Sequence, residues 1–316
     1  VQLSPIVLFV YNRPSHTRRT LDALSKNQLA DQSVLYVFAD GANENADDTL
    51  LNNIYETRQI IKERKWCKEV HLIESAVNKG LASSIVEGVT QIINTYEKVI
   101  VLEDDIITST GFLRFMNDAL NVYQLDESVM HISGYLPPLS LTSIRQTFFI
   151  NVTSCWGWAT WKRSWIFFES RTLKLMNEIL QKDPQLLIFN FNGKADYWRH
   201  LEMNLNGIID TWAIKWYASV YLNDGFCLHP FRSLARNIGA DGSGTHFKGT
   251  DKVLLSQELV DDIYVVRIPI VEDEYVRLRI CEYYDKSKHK QTLETRLRRY
   301  IKRGAKSILK LIKERF

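Results

Sequence analysis

Apolar positions in the first hundred residues follow two alternating rhythms. Ile6-Val7-Leu8-Phe9-Val10-Tyr11 is an unbroken apolar run, the pattern of a strand covered on both faces. Pro14-Ser15 then opens a helical spacing through Leu21 and Leu24. Val34-Leu35-Tyr36-Val37-Phe38-Ala39 reads as a second buried strand that ends at Asp40-Gly41. Leu50, Ile54, Ile60 and Ile61 have helical spacing, and Val70-His71-Leu72-Ile73 is a short strand. Asn78-Lys79-Gly80 opens a third helix through Leu81, Ile85, Val89, Ile92 and Ile93. Val99-Ile100-Val101-Leu102 is a fourth strand that runs directly into Glu103-Asp104-Asp105. Strands alternating with helices predict a parallel sheet with helices on both faces. Ligands of such sheets sit beyond the carboxyl ends of the strands, where Arg13, Asp40 and the acidic triplet all fall.

Beyond about Asp126 the rhythm changes. Aromatics gather in Phe148-Phe149, in Cys155-Trp156-Gly157-Trp158-Ala159-Thr160-Trp161 and at Trp165, Phe167 and Phe168. Helical spacing returns over 173–188 and 212–222, and a glycine-dense loop follows from Gly239 to His246. The division expected is a nucleotide-type α/β half over 1–125 and an acceptor-type half over 126–290. The two share a core, and a basic amphipathic helix follows over 291–316. In that last segment Leu297, Tyr300, Ile301, Ile308, Leu309, Leu311 and Ile312 form an apolar stripe among basic residues.

Charge sharpens this division. The net charge of the 316 residues is +3, but residues 291–316 hold nine Lys or Arg against Glu294 and Glu314. The first 290 residues are therefore mildly acidic, which argues against a body that grips nucleic acid. With 45% hydrophobic and 24% charged residues the chain is an ordinary globular one. No apolar run approaches the ~20 residues that cross a bilayer, and no charged-then-apolar leader is read at its start. Cys67, Cys155, Cys227 and Cys281 are scattered with no C-x-x-C pair, which gives a zinc ribbon or thioredoxin-like site no support and leaves two readings, free thiols in a reducing compartment or two disulfides.

Several residue types in this pattern point to chemistry, each with a plainer reading beside it. Three adjacent carboxylates repel one another, and a hard divalent cation removes that cost, taking one or two carboxylates plus phosphate oxygens. The plainer reading of Glu103-Asp104-Asp105 is an acidic turn before a helix near Gly111. Asp40 either accepts hydrogen bonds from a base or ribose or serves as a turn residue. Arg13, in Tyr11-Asn12-Arg13-Pro14, either meets a nucleotide or makes a surface ion pair. Trp156 and Trp158 are either sugar-holding faces or core. Asp210 before Thr211-Trp212 is a helix cap or a general base. His246 either reaches a metal or diphosphate on loop closure or is a loop histidine with neither role. Asn151-Val152-Thr153 satisfies the glycosylation sequon, which matters only in a secreted chain.

In order and spacing, seven pieces form one set. They are strand–Tyr11-Asn12-Arg13, strand–Asp40-Gly41, Asn78-Lys79-Gly80, Val101-Leu102-Glu103-Asp104-Asp105, Trp156-Gly157-Trp158, Asp210-Thr211-Trp212 and Arg232 through Gly244-Thr245-His246. Over roughly residues 4–250 this resembles the GT-A glycosyltransferases, and among them N-acetylglucosaminyltransferase I and its bacterial, family 2-like relatives. The resemblance implies an α/β GT-A fold with a mostly parallel central sheet. It implies that Asp105 ligates Mn²⁺ (or Mg²⁺) bridging the donor diphosphate, with His246 joining on loop closure. Asp104 would then hold the ribose, Glu103 the donor sugar, and Arg13 and Asp40, with Tyr11 and Lys79 beside them, the uridine end. Asp210 would be the catalytic base, and the segment from Arg232 to His246 would order over the donor, with Trp156 and Trp158 on the acceptor side. One departure stands out: the helix after Gly80 carries Glu87-Gly88 where the family has a histidine.

The activity implied is inverting transfer of a sugar such as GlcNAc from a UDP-sugar to a glycan or lipid-linked oligosaccharide. The setting would be cytoplasmic, in bacterial surface polysaccharide synthesis, with the basic tail either lying on the inner membrane or packed on the body as a solvated helix. The competing classes are a nucleotidyltransferase acting on sugar phosphates and a non-catalytic carbohydrate-binding protein. The former lacks a glycine-and-basic loop in the first strand–helix turn, and the latter has no need of the acidic triplet.

Overall fold

The computed structural model describes residues 2–139, 141, 145–242 and 250–286. The first half builds as its hydrophobic pattern predicts. Strands β1 (Ile6–Val10), β2 (Val34–Ala39), β3 (Glu69–Glu74) and β4 (Lys98–Glu103) alternate with helices α1 (Pro14–Leu24), α2 (Asp48–Lys62) and α3 (Leu81–Tyr96). Pro14 begins α1, where its fixed φ suits the first turn and its missing N–H is not needed. Asp47 caps α2 by accepting from the Leu50 amide at 2.7 Å. Gly80 enters α3 with φ +76°, a backbone conformation that favours glycine.

After β4 come the short strand β5 (Ile106–Thr108), helix α4 (Phe112–Val122) and strands β6 (Val129–Ser133), β7 (Thr147–Ile150) and β8 (Trp158–Trp161). Helices α5 (Lys162–Trp165), α6 (Thr172–Lys182), α7 (Tyr197–Leu205) and α8 (Trp212–Leu222) follow. Strands β9 (Phe226–Pro230) and β10 (Ala235–Asn237), helix α9 (Lys252–Leu255) and a helix over 274–286 complete the described chain. The helix expected over 173–188 stops at Lys182. Pro184 disfavours helical backbone at Asp183, whose φ is −140°. The Asp183 carboxylate then accepts from the Leu187, Ile188 and Phe189 amides and turns the chain away. The amphipathic segment 291–316 and His246 lie outside the described residues.

Eight strands form one sheet in the order β3-β2-β1-β4-β8-β6-β9-β7. Strands β3, β2, β1 and β4 are parallel, β8 inserts antiparallel between β4 and β6, and β7 is antiparallel to β9 at the far edge. The fold is therefore mixed α/β with a mostly parallel sheet flanked by helices. That sheet draws strands from both sides of residue 125. Alternation along β1 shows how the layers form. Ile6, Leu8 and Val10 face a core shared with Leu21 and Leu24 of α1 and Phe112 and Met116 of α4. Val7 and Phe9 face the other side, against Ile85, Val89 and Ile92 of α3 and Trp212 and Trp216 of α8. A third cluster joins β7, α6, α7 and α8 through Phe148, Leu175, Ile179, Leu201 and Tyr217.

Candidate active site

The connections fix where the site falls. The chain moves outward from β1 to β2 to β3, then crosses back to place β4 on the other side of β1. Crevices form at such reversals, beyond the carboxyl ends of the strands. Arg13 follows β1 and Asp104 and Asp105 follow β4, so they lie on the two lips of this crevice, and their side chains meet. The Arg13 guanidinium donates to both oxygens of Asp104 and, from Nη2, to Asp105 Oδ2 at 2.9 Å. Asp104 is further anchored through its carbonyl, which accepts from the Thr20 hydroxyl at 2.7 Å.

A second segment closes on the same carboxylates. Strand β10 pairs antiparallel with β5, which brings residues 235–241 over the turn that follows β4. The Ile238 amide donates to the Asp105 carbonyl at 2.8 Å, and Asn237 Nδ2 approaches Asp105 Oδ1 at 3.4 Å. A Cβ at position 239 would overlap Asp105 Oδ2 and crowd Arg13, so the close approach of this segment requires glycine there. His16 Nε2 of α1 lies 3.2 Å from Asp241 Oδ2 at the far end of the segment. Asn237 and Gly239 fall within the segment from Arg232 to His246 expected over the donor, though neither was singled out there. His16 is a site residue that sequence reading missed, its only signal being its place just after Pro14.

Electrostatics show a cluster short of positive charge. Burial, then repulsion from Asp105 and Asp104, pushes the Glu103 carboxyl up to about 8, with Arg13 opposing. Asp104 rises to about 6, chiefly through burial, although Arg13 pulls it down. Burial alone would weaken the hold of Arg13 on its proton, but Asp104 and Asp105 outweigh it and raise its pKa. Three carboxylates thus face one guanidinium. The donors are hard oxygens and the charge deficit suits a divalent cation. Among the described residues no three His, Cys, Asp or Glu side chains converge as a ready cage. An ion here would take one or two carboxylates and fill its remaining positions with ligand oxygens and water, as Mg²⁺ and Mn²⁺ do. Asp105 is the more exposed of the two aspartates, its side chain 13% exposed against 8% for Asp104.

The other expected residues have distinct surroundings. Asp40 is buried at the end of β2, and its carboxylate accepts from the amides of Gly41, Lys79 and Gly80, which ties down the turn before α3. Tyr11 titrates high, through burial and then the charge of Asp40. The Lys79 ammonium pairs with Glu87 at 2.7 Å, so it is the amide of Lys79, not its charge, that meets Asp40. Gly88, beside Glu87, lets α3 lie against the Phe9 and Phe38 rings.

Trp156 is half-buried, edge-on to Tyr135 at 4.5 Å between centroids. Trp158 is fully buried, stacked on Trp212 at 5.0 Å and on His131 at 5.4 Å. Trp158 is therefore core: both faces are taken and none is left for a sugar. Because Trp158 pairs with Val101 of β4, its stacking on Trp212 brings the start of α8 to the carboxyl edge of β4. Asp210 precedes that start, 70% exposed, with Lys215 at 3.5 Å. It does not cap the helix, whose first flanking residue is Thr211 with no side-chain cap. Arg232 is exposed beyond the carboxyl end of β9. Neither Asp210 nor Arg232 has a hydrogen bond or ion pair to the acidic triplet.

Two tyrosines that the sequence did not single out pack against the cluster that joins β7, α6, α7 and α8. The Tyr197 and Tyr284 hydroxyls lie 3.3 Å apart, and Tyr284 comes from the helix over 274–286. Burial raises the Cys155 thiol, which also senses Glu103, while Tyr197 in turn senses Cys155. Two other concavities, of about 650 and 300 Å³, lie along α6 around Leu173 and Lys174, away from this chemistry.

No protein-family model and no curated protein matches the chain. Solved structures similar to it include TarS of S. aureus, at 14% identity and TM-score 0.28, covering 41% of this chain and 21% of that one. Galactosyltransferase LgtC, solved with donor and acceptor sugar analogs, has 8% identity and TM-score 0.34, covering 56% of this chain and 64% of its own. Mouse xyloside xylosyltransferase 1 in its apo form has 8% identity and TM-score 0.37, covering 69% and 81%. The chain thus matches about a fifth of the length of TarS and just under two thirds of LgtC. At these scores the likeness carries no argument about chemistry, and the functional reading rests on the site.

Proposed function

We propose that the chain is an inverting, divalent-cation-dependent glycosyltransferase of the GT-A type. It would transfer a sugar, GlcNAc in the first instance, from a UDP-sugar to a hydroxyl of a glycan or lipid-linked oligosaccharide. The observation that supports this most directly is the carboxylate cluster at the strand-order reversal, held by Arg13. A crevice of this kind suits a nucleotide, and its charge deficit suits a cation that arrives with phosphate.

In this reading Asp105, with His246 as a second donor, holds Mn²⁺ or Mg²⁺. When bound, that ion supplies positive charge where the leaving diphosphate gains negative charge. Asp104 and Glu103 orient the ribose and the donor sugar. Tyr11, Asp40 and the turn at Lys79 border the place of the base. Asp210, exposed at the start of α8, takes the proton from the attacking acceptor hydroxyl on the face opposite the departing nucleotide. Displacement from that face inverts the anomeric centre. Trp156, with Tyr135 edge-on to it, offers an aromatic surface for the acceptor, and Arg232 borders the donor from the β9 side.

The setting proposed is the cytoplasmic face of a membrane, in surface-polysaccharide or lipid-linked glycan synthesis, with the basic segment 291–316 at the lipid surface. Among the described residues no helix is long and apolar enough to cross a membrane. The test is a panel of nucleotide sugars incubated with the chain in Mn²⁺ or EDTA. Release of UDP from one donor, abolished by EDTA, is expected. Pyrophosphate release from a nucleoside triphosphate and a sugar phosphate would mark a nucleotidyltransferase instead. Sugar binding with no turnover of any donor would mark a lectin-like protein.

A further inference from the structure

Arg13 occupies one of the two oxygens through which Asp105 could hold a cation. It leaves the β1–α1 turn, where its carbonyl is held by the Thr17 amide at 2.9 Å. Its guanidinium spans Asp104 and Asp105, with Nη2 on Asp105 Oδ2 at 2.9 Å. The other Asp105 oxygen has Asn237 at 3.4 Å, and Gly239 packs so closely that Oδ2 has no free approach from the β10 side. Both oxygens of Asp105 therefore have protein partners. A divalent ion ligated by Oδ2 and a guanidinium on the same oxygen would repel each other at close range.

We propose that Arg13 is the resident counter-ion of Asp105 and keeps a divalent cation out until a diphosphate draws the guanidinium away. A guanidinium moves readily from carboxylate to phosphate, because its planar fork bonds both in the same bidentate way. Cation and diphosphate then enter as one unit, and the cation does not load alone. The carboxylate site itself is the one described under the proposed function, and the inference rests on that reading for the identity of the anion. It assigns Arg13 a positioning role: the residue decides when Asp105 becomes available.

The test uses the full chain and reads Mn²⁺ affinity by electron paramagnetic resonance, with no turnover needed. Wild type, Arg13→Gln and Arg13→Lys are titrated with MnCl₂ alone, with MnCl₂ and pyrophosphate, and with MnCl₂ and UDP. In wild type, either anion should tighten Mn²⁺ about tenfold or more. Arg13→Gln should bind Mn²⁺ alone about tenfold more tightly than wild type, with little further gain from the anion. Arg13→Lys keeps the positive charge but loses the fork, so its affinity for Mn²⁺ alone should lie between those of wild type and Arg13→Gln. Mn²⁺ affinity in a cooperatively melting Arg13→Gln chain that equals the wild-type value overturns the inference.

If that variant does not melt cooperatively, the wild-type chain decides. The Arg13 Nε resonance should hold still in MgCl₂ alone and shift when pyrophosphate is added, and a shift in MgCl₂ alone overturns the inference. The two readings fail separately. Tighter Mn²⁺ in Arg13→Gln with no UDP binding in any chain leaves the counter-ion role standing and removes the UDP-sugar reading. UDP-linked Mn²⁺ binding that ignores the substitution does the reverse.

Discussion

The guanidinium of Arg13 and the carboxylate of Asp105, 92 positions apart in the chain, meet at 2.9 Å where the strand order of the sheet reverses. Neither residue is placed there by its own neighbours. Arg13 is carried by the end of β1 and Asp105 by the end of β4, and these strands are adjacent because the chain crosses back after β3. The ion pair therefore reports the topology, and it makes the crevice a charged site.

Removing Asp105 separates cation-dependent from cation-independent binding. Asp105→Ala should raise the calorimetric Kd for UDP in Mn²⁺ by at least about tenfold, or about 1.4 kcal/mol. In EDTA the variant and wild type should bind alike. Unchanged affinity in Mn²⁺ would show that Asp105 holds no cation.

Asp210→Asn tests the base. Transfer should fall by about 10²- to 10⁴-fold, the range for loss of a general base, while donor affinity stays near wild type. Its exposure and single weak contact with Lys215 mean that the substitution leaves the fold alone. A variant that still transfers but binds donor poorly would remove Asp210 from the chemistry.

Gly239→Ala should act through geometry. The new Cβ has to displace the Asp105 carboxylate or lift the segment 237–241, at a cost of about 1–3 kcal/mol in stability. The melting temperature should drop, and Mn²⁺-dependent UDP binding should weaken with it. Wild-type values for both would mean that the segment is not closely applied to Asp105.

Acid should destabilise the fold through His131. The indole N–H of Trp216 donates to its Nδ1 at 3.1 Å, so Nε2 carries the hydrogen and donates to the Ser154 carbonyl at 3.0 Å. Burial, and then His229, lowers its pKa to about 3. The unfolded chain binds this proton near pH 6.5 and the folded chain does not. Stability from this group is therefore complete above about 6.5 and is lost as pH falls towards 3, by at most about 1.4 kcal/mol per unit. Urea denaturation between pH 7.5 and 4.5 should show a shallower acid slope in His131→Gln than in wild type. Parallel slopes would place the acid sensitivity elsewhere.

The basic segment is tested by truncation after Lys290. Each basic residue near an anionic surface contributes about 1 kcal/mol. The full chain should float with liposomes containing anionic lipid, less so in high salt, while the truncated chain stays in the soluble fraction. Equal flotation of both ends the membrane proposal.

Sequence alone determined the first half of this molecule. Strands β1, β2 and β4 carry contiguous apolar runs, β3 carries a short one broken by His71, and each of α1 to α3 has a recurrent apolar spacing with a Pro, Asp or Gly at its start. Those signals are local, so the residues at the strand ends, Arg13, Asp40 and 103–105, were legible as candidates. Tertiary structure decided the rest. Strands β6 to β9 are four or five residues long and almost wholly buried, so they show neither alternation nor length. The four residues from Trp158 to Trp161 read as an aromatic patch until hydrogen bonds to β4 and β6 make them a strand and stack Trp158 into the core. Arg13 reaching Asp104 and Asp105, Asn237 and Gly239 closing over them, and Tyr284 entering from the helix over 274–286 are all contacts between distant segments. Apolar spacing records which face of an element turns inward. It holds no record of which elements become neighbours, because that depends on how strands pair and in what order the chain lays them down.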